Sequence, residues 1–418
     1  TFSDYLKTTP PNGTVFLPAG SYEEMLEWSG GHFRNFFTKY PEAYAMQQKM
    51  LRVSRTVGEL TAKNGREDIL DRAMQELYAA QCNCAYWHGV FGGLYLTHLR
   101  RAVYSHLIAA EDLVRQAARK PPRGRKGAKD PGVLLAISDA DSDGQEEVSL
   151  TTNTMQLMVD PAEGGTVTEW SLSQSRINLL DTLSRRHEPY HDKLRLTQPQ
   201  PARSGGSGVA SIHDILGVKE QNLESYLVYD DHRRSAFLDY GLQSLPSLQE
   251  VVRSAWGERR LWSLGPYQLE RAVSGKHGEK AATVTMTRRV SEWRMRKTVA
   301  MASQRPAVTC LYEVEGPEIP VVALEFNLSL RDDRWLTTAQ QHLQVRQFDV
   351  VEPAVDVGVR LAIEPAATLL SFPIETVSES EGGLERTFQG ICLLLLWTLN
   401  GAGKWETRVE WTIGGASS

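Results

Sequence analysis

Between residues 20 and 118 apolar side chains recur at three- and four-residue intervals, the spacing of one helix face. The run "SYEE", Ser21 to Glu24, predicts a capping box in which Glu24 reaches back to the Ser21 cap. Pro41 suits the first turn of a second helix, with Met46, Met50, Val53, Val57 and Leu60 along one stripe. A third helix is expected to bury Leu70, Ala73, Met74, Leu77 and Tyr78. A fourth is expected to bury Leu96, Leu99, Val103, Leu107, Ala110 and Val114. Trp28, Met46 and Met50 read as core, and the whole predicts a small four-helix bundle over residues 20–118.

The pattern breaks at "RKPPRGRKGAKDPG", residues 119–132, where six basic residues stand among Pro and Gly with almost nothing to bury. That composition is a solvated linker. From residue 133 to residue 418 the period becomes two. In "WETRVEWTI", Trp405, Thr407, Val409, Trp411 and Ile413 face one way and Glu406, Arg408, Glu410 and Thr412 the other. "ATVTMT", "ALEFNLSL" and "LQVRQF" are similar short strands between turn residues. A second half this long predicts a large antiparallel sandwich. The Pro-, Gly- and Ser-rich run "TQPQPARSGGSG", residues 197–208, reads as a mobile loop.

Composition narrows the class without fixing it. At 418 residues, 41% hydrophobic and 23% charged, the chain reads as a soluble protein of two or three domains. A net charge of −5 gives no reason to expect a nucleic-acid partner. No apolar run approaches the roughly 18 residues of a membrane span, so no membrane partner is expected. The opening "TFSDYLKTTPPNG" has neither a basic nor an apolar leader region, and its missing initiator Met predicts truncation. Cys310 and Cys392 sit in strand-like apolar runs, and Cys82 and Cys84 are too close to bridge without strain. A reducing, cytoplasmic location is the expectation.

Two stretches carry candidate chemistry. In "DADSDGQEE", Asp139, Asp141 and Asp143 alternate, Gly144 permits a sharp turn and Glu147 follows. Alternate carboxylates converging on one point suit calcium, which takes six to eight oxygens. Leu150 stands where an EF-hand needs its bidentate Glu, so the readings are a β-turn calcium loop or an acidic turn without an ion. The other stretch is "AAQCNCAYWHGVFGGLYLTHLRRAVYSHLIAAE", residues 79–111. Cys82, Cys84 and His88 lack the spacing and second ligand pair of a zinc site. Asn83, Tyr86, Trp87 and His88 beside glycines read either as an aromatic plate gripping a sugar ring or as a buried plug at a helix start. No phosphate loop, dinucleotide fingerprint, HExxH helix or serine elbow is present.

"YPEAYAMQQKMLRVS" followed by that long stretch resembles the central helical region of glycoside hydrolase family 57, in its 4-α-glucanotransferase and α-amylase branch. "ESYLVYDDHRRSAFLDY" (224–240) and "TVSESEGGLERTFQG" (376–390) resemble its carboxy-terminal domain, and "LPAGSYEEMLEWS" the tail of its catalytic barrel. The resemblance implies an α+β multidomain chain. Residues 1–19 would be the tail of the barrel, 20–118 the helical central domain, 119–132 a linker, and 133–418 a β-supersandwich of the galactose-mutarotase type. The family's retaining chemistry, with a glutamate nucleophile and an aspartate acid/base, lies in a (β/α)7 barrel that has no counterpart here. The resemblance therefore implies no catalytic residue and no catalytic cofactor in this chain, which would be inactive alone. What remains is the motif reading Asn-Asp-Ala-Tyr-Trp-His in the family. Asn83, Tyr86, Trp87 and His88 match it, and Cys84 replaces the Asp. These five residues are the implied sugar-facing set, with an α-glucan or maltooligosaccharide and the missing barrel as partners. A free-standing carbohydrate-binding or scaffold protein is the alternative, and a mutarotase-like epimerase in the sandwich is weaker.

Overall fold

In the computed structural model the description covers residues 1–16, 23–64, 67–118, 132–196, 219–274, 281–331, 336–399, 401 and 403–415. The expected Ser21 cap, nearly all of the basic linker and the 197–208 loop lie outside these residues.

The helical half is built on three long helices, Pro41–Asn64, Asp68–Ala79 and Thr97–Ala118. Pro41 opens the first, where its missing N–H is an orphan anyway. Asp68 and Asp71 place negative charge at the dipole's positive end of the second. Met46, Val53 and Val57 meet Ala73, Leu77, Val103, Leu107 and Ala110 in one cluster. Two expectations need correction. Where a first long helix was expected, the described residues 23–40 form only two short ones, Glu23–Trp28 and Asn35–Lys39, so among the described residues the bundle has three long helices. Tyr78 is 63% exposed, because Leu70, Ala73 and Leu77 already define the inward stripe and Tyr78 falls on its flank.

Among the described residues, sixteen strands join one antiparallel sheet. Its path runs Leu134–Ser138, Glu147–Thr151, Met155–Asp160, Thr166–Leu172, Ala236–Leu242, Val321–Leu328 and Gly383–Thr398. It continues through Val357–Ser380, Gly403–Gly414, Ala307–Gly316, Trp293–Ala302 and Ala281–Val290 to Gln268–Ser274. Every pairing is antiparallel, so these residues contain no parallel barrel. The strand Val321–Leu328 shows why the sheet is a supersandwich. All eight of its residues are buried, with Val322, Leu324, Phe326 and Leu328 in the large inner core. Val321 and Ala323 join a second cluster on the opposite face with Leu238, Tyr240, Trp256 and Phe372. Such burial means that both sheet faces are covered. As expected, Thr407, Val409 and Trp411 point inward, and Trp411 meets Trp170 edge to face at 6.2 Å. Cys310 and Cys392 are buried free thiols.

The cover on the second face is ionic as well as apolar. His232 sits between Asp231 (2.8 Å) and Glu325 (3.0 Å), beside Tyr240 and Arg234. Burial disfavours a charged ring there, but Glu325 and the Asp231 hydrogen bond outweigh it and push its pKa up to about 9. A histidine raised in the folded state adds stability that is complete below its unfolded value near 6.5 and lost as pH rises through about 9. We expect the chain to lose on the order of 3 kcal/mol between pH 6 and pH 9.5. His232→Gln should remove most of that slope. Urea titrations at the two pH values check it, and parallel losses in both proteins would count against the ion pair.

Candidate functional site

The aromatic motif forms a turn at the seam of helices and sheet. A 3₁₀ turn at Asn83–Tyr86 leads to a second at Gly93–Tyr95, after which the long helix starts at Thr97. The glycines are steric necessities. A side chain at Gly93 (φ +47°) would run into the Trp87 carbonyl, and one at Gly89 would overlap the Trp87 ring. The Leu94 N–H then donates to the Trp87 carbonyl at 2.8 Å, closing the turn.

Its side chains divide into two sets. Asn83 and Cys84 are exposed, with the Cys84 thiol 3.6 Å from Asn83 Oδ1. Tyr86 is buried and donates its hydroxyl to the Ala80 carbonyl at 2.8 Å. Trp87, 6% exposed, packs on Phe36 at 5.6 Å among Met25, Tyr40, Leu94 and Leu183. His88 is wholly buried, 3.0 Å from the Gly92 carbonyl through Nδ1 and 3.0 Å from the Tyr190 hydroxyl through Nε2. A carbonyl only accepts, so Nδ1 carries the proton and Nε2 accepts from Tyr190. Burial lowers the His88 pKa to about 4 and keeps the ring neutral. Both ring nitrogens of His88 are thus engaged by the protein, and of the five motif residues only Asn83 and Cys84 face outward, beside the exposed Phe91.

The residues that hold this turn escaped the sequence reading. Glu188, fully buried, accepts from Tyr40 (2.8 Å), Tyr95 (2.8 Å) and Lys39 (2.6 Å). Burial favours its neutral acid, but the surrounding charges and donors hold its pKa below the ordinary value. Arg100, 1% exposed, donates to Asp181 Oδ1 (3.0 Å), the Leu94 carbonyl (2.6 Å) and Gln389 Oε1 (2.8 Å). Turn, helix and sheet are pinned by one guanidinium. The dense run "HEPYHD", residues 187–192, was the available signal for Glu188 and Tyr190.

The acidic loop is a second cluster. Asp139, Asp141 and Glu147 each bring one oxygen within 4.8 Å of the others. Asp143 does not join them; its carboxylate accepts from the Gln145 N–H at 2.7 Å and shapes the turn. Glu147 is 3% exposed, with Oε2 accepting from the Ala140 N–H at 2.5 Å and Oε1 without a partner among the described residues. Burial first, then Asp141, Asp160 and Asp143, raise its pKa to about 7. Asp160, missed in the sequence, lines the same cavity of ≈ 30 Å³.

The three-helix layer and the antiparallel supersandwich, which meet at the aromatic turn, correspond to the middle and carboxy-terminal domains of family 57 glycoside hydrolases. The profile "Alpha-amylase/4-alpha-glucanotransferase, middle domain" matches residues 31–114 and its C-terminal counterpart matches residues 139–410. The chain belongs to the α-amylase/4-α-glucanotransferase family. It is 30% identical over 437 residues to a 4-alpha-glucanotransferase of Thermococcus kodakarensis, covering 97% of this chain and 61% of that protein. It is 27% identical over 456 residues to "Alpha-amylase 1" of Dictyoglomus thermophilum, covering 98% and 62%. The crystal structure of 4-alpha-glucanotransferase from Thermococcus litoralis aligns with a TM-score of 0.74 at 26% identity, covering 99% of this chain and 63% of that one. The chain thus spans about three fifths of the length of these relatives.

Proposed function

We propose that the chain supplies the helical and supersandwich portion of a retaining enzyme acting on α-1,4-glucan, a 4-α-glucanotransferase or α-amylase. The match of both domain profiles in family order carries this reading. In it, a barrel domain holds the nucleophile and the acid/base, and the turn at residues 83–95 borders the sugar site. Asn83 and Cys84, exposed on that turn, are the groups placed to meet sugar hydroxyls. Tyr86, Trp87 and His88 lie behind them, and their burial fixes the shape of the rim. A thiol at position 84 is a weaker acceptor than the family's carboxylate, so this contact is softened here.

Hydrogen–deuterium exchange on the product of the complete reading frame, with and without maltoheptaose, tests the placement. Exchange across residues 82–96 should slow on binding. Protection elsewhere with none at this turn would overturn the proposed rim, and no protection anywhere would overturn the glucan reading itself.

A further inference from the structure

The acidic loop has two properties that a solvated turn does not explain. Its third carboxylate, Glu147, is buried, yet Oε1 has no partner among the described residues. A buried acceptor left unsatisfied is costly and calls for a donor or a cation. The three oxygens also lie close enough to share one ion. At calcium–oxygen distances of about 2.3–2.6 Å, ligands on opposite sides of one ion stand roughly 5 Å apart. The observed limit of 4.8 Å falls within that span. The cavity of ≈ 30 Å³ lined by Asp141, Glu147 and Asp160 has room for an ion and a water.

The loop is also one of the places where the sandwich touches the helix Pro41–Asn64. The Ala140 peptide is shared between them: its N–H donates to Glu147, and its carbonyl accepts from Arg52 at 2.6 Å. Ser142 donates to Gln48 at 3.4 Å on the same helix. One turn away Lys49, fully buried, bridges Glu111 and Glu169, each at 2.6 Å.

We propose that Asp139, Asp141 and Glu147 bind one calcium ion, which fixes the Ala140 peptide and so clamps the helical layer to the supersandwich. Calcium suits the set better than magnesium. The donors are hard carboxylates on an irregular loop, and calcium accepts irregular geometry completed by water, whereas magnesium demands a near-ideal octahedron. Asp143 takes no direct part, since its carboxylate does not join the other three oxygens. The inference does not depend on the glucan reading, and its test involves no sugar.

The full chain, stripped with EGTA, is titrated with calcium chloride by calorimetry and melted with calcium, magnesium or chelator. One ion per chain should bind, and saturating calcium should raise the midpoint by roughly 3–6 °C. Glu147→Gln removes the buried charge while its amide oxygen can still accept from the Ala140 N–H, so it should fold in chelator at least as well as the wild type and lose the calcium response. Asp141→Asn, partly exposed, should fold normally and bind at least tenfold more weakly. Hydrogen exchange adds the test of the clamp: calcium should slow exchange in residues 41–64 as well as in 139–147. No heat of binding and equal midpoints in the wild type would overturn the site. Binding that slows exchange only in the loop would overturn the clamp.

Discussion

Lys297→Met is expected to cost about 3–5 kcal/mol, the penalty for breaking a buried ion pair from one side. Lys297 is fully buried in the strand Trp293–Ala302, 2.8 Å from Asp239. Its ammonium also donates to the Gly164 carbonyl at 2.9 Å and the Phe237 carbonyl at 2.7 Å. Asp239 in turn accepts from Trp262 (3.2 Å), Tyr267 (3.0 Å) and Tyr312 (2.9 Å). Methionine fits the space but leaves that carboxylate buried without a cation and two carbonyls without a donor. The double variant Lys297→Met with Asp239→Asn keeps an acceptor for the aromatic donors while removing the stranded charge. It should recover part of the loss. Urea or thermal midpoints of the three proteins measure this, and a single variant melting with the wild type would refute the ion pair as a core element.

That lysine shows what a sequence can and cannot disclose. The alternation of Met295, Lys297, Val299 and Met301 places all four on one strand face, so its inward direction was readable. Its partner was not, since Asp239 lies in a distant strand and only the closed sheet brings them together. The switch from helical to strand period after residue 132 was legible for the same local reason. Tyr78 misled because one apolar residue at a stripe's edge satisfies the periodicity equally well on either side. The aromatic turn was legible as a unit, since its glycines and rings are neighbours in the chain. Which rings face outward was not, because His88 and Trp87 are covered by Tyr190, Phe36 and Leu183. Glu188 reaches Tyr40 across 148 positions, which no local pattern records.

We propose that glucan chemistry belongs to the complete protein and that this chain shapes its site without performing it. A retaining mechanism needs two carboxyl groups about 5–5.5 Å apart with room for a glycosidic bond between them. The close carboxylates of the acidic loop open on a cavity of ≈ 30 Å³, far below the roughly 300 Å³ at which ligand pockets begin. The larger cavity, ≈ 290 Å³ between the helices and the first strands, is lined by a single carboxylate, Glu111, already paired with Lys49. Asp230 and Glu325 are buried between Arg185, Arg234 and His232. The most direct measurement incubates maltoheptaose with the 418-residue chain and, separately, with the product of the complete reading frame, resolving products by chromatography. The account predicts longer and shorter maltooligosaccharides, or shorter ones alone, from the complete protein, and none above a mock-purified control from the chain. Products released by the chain itself, or a complete protein that leaves maltoheptaose untouched, would contradict it.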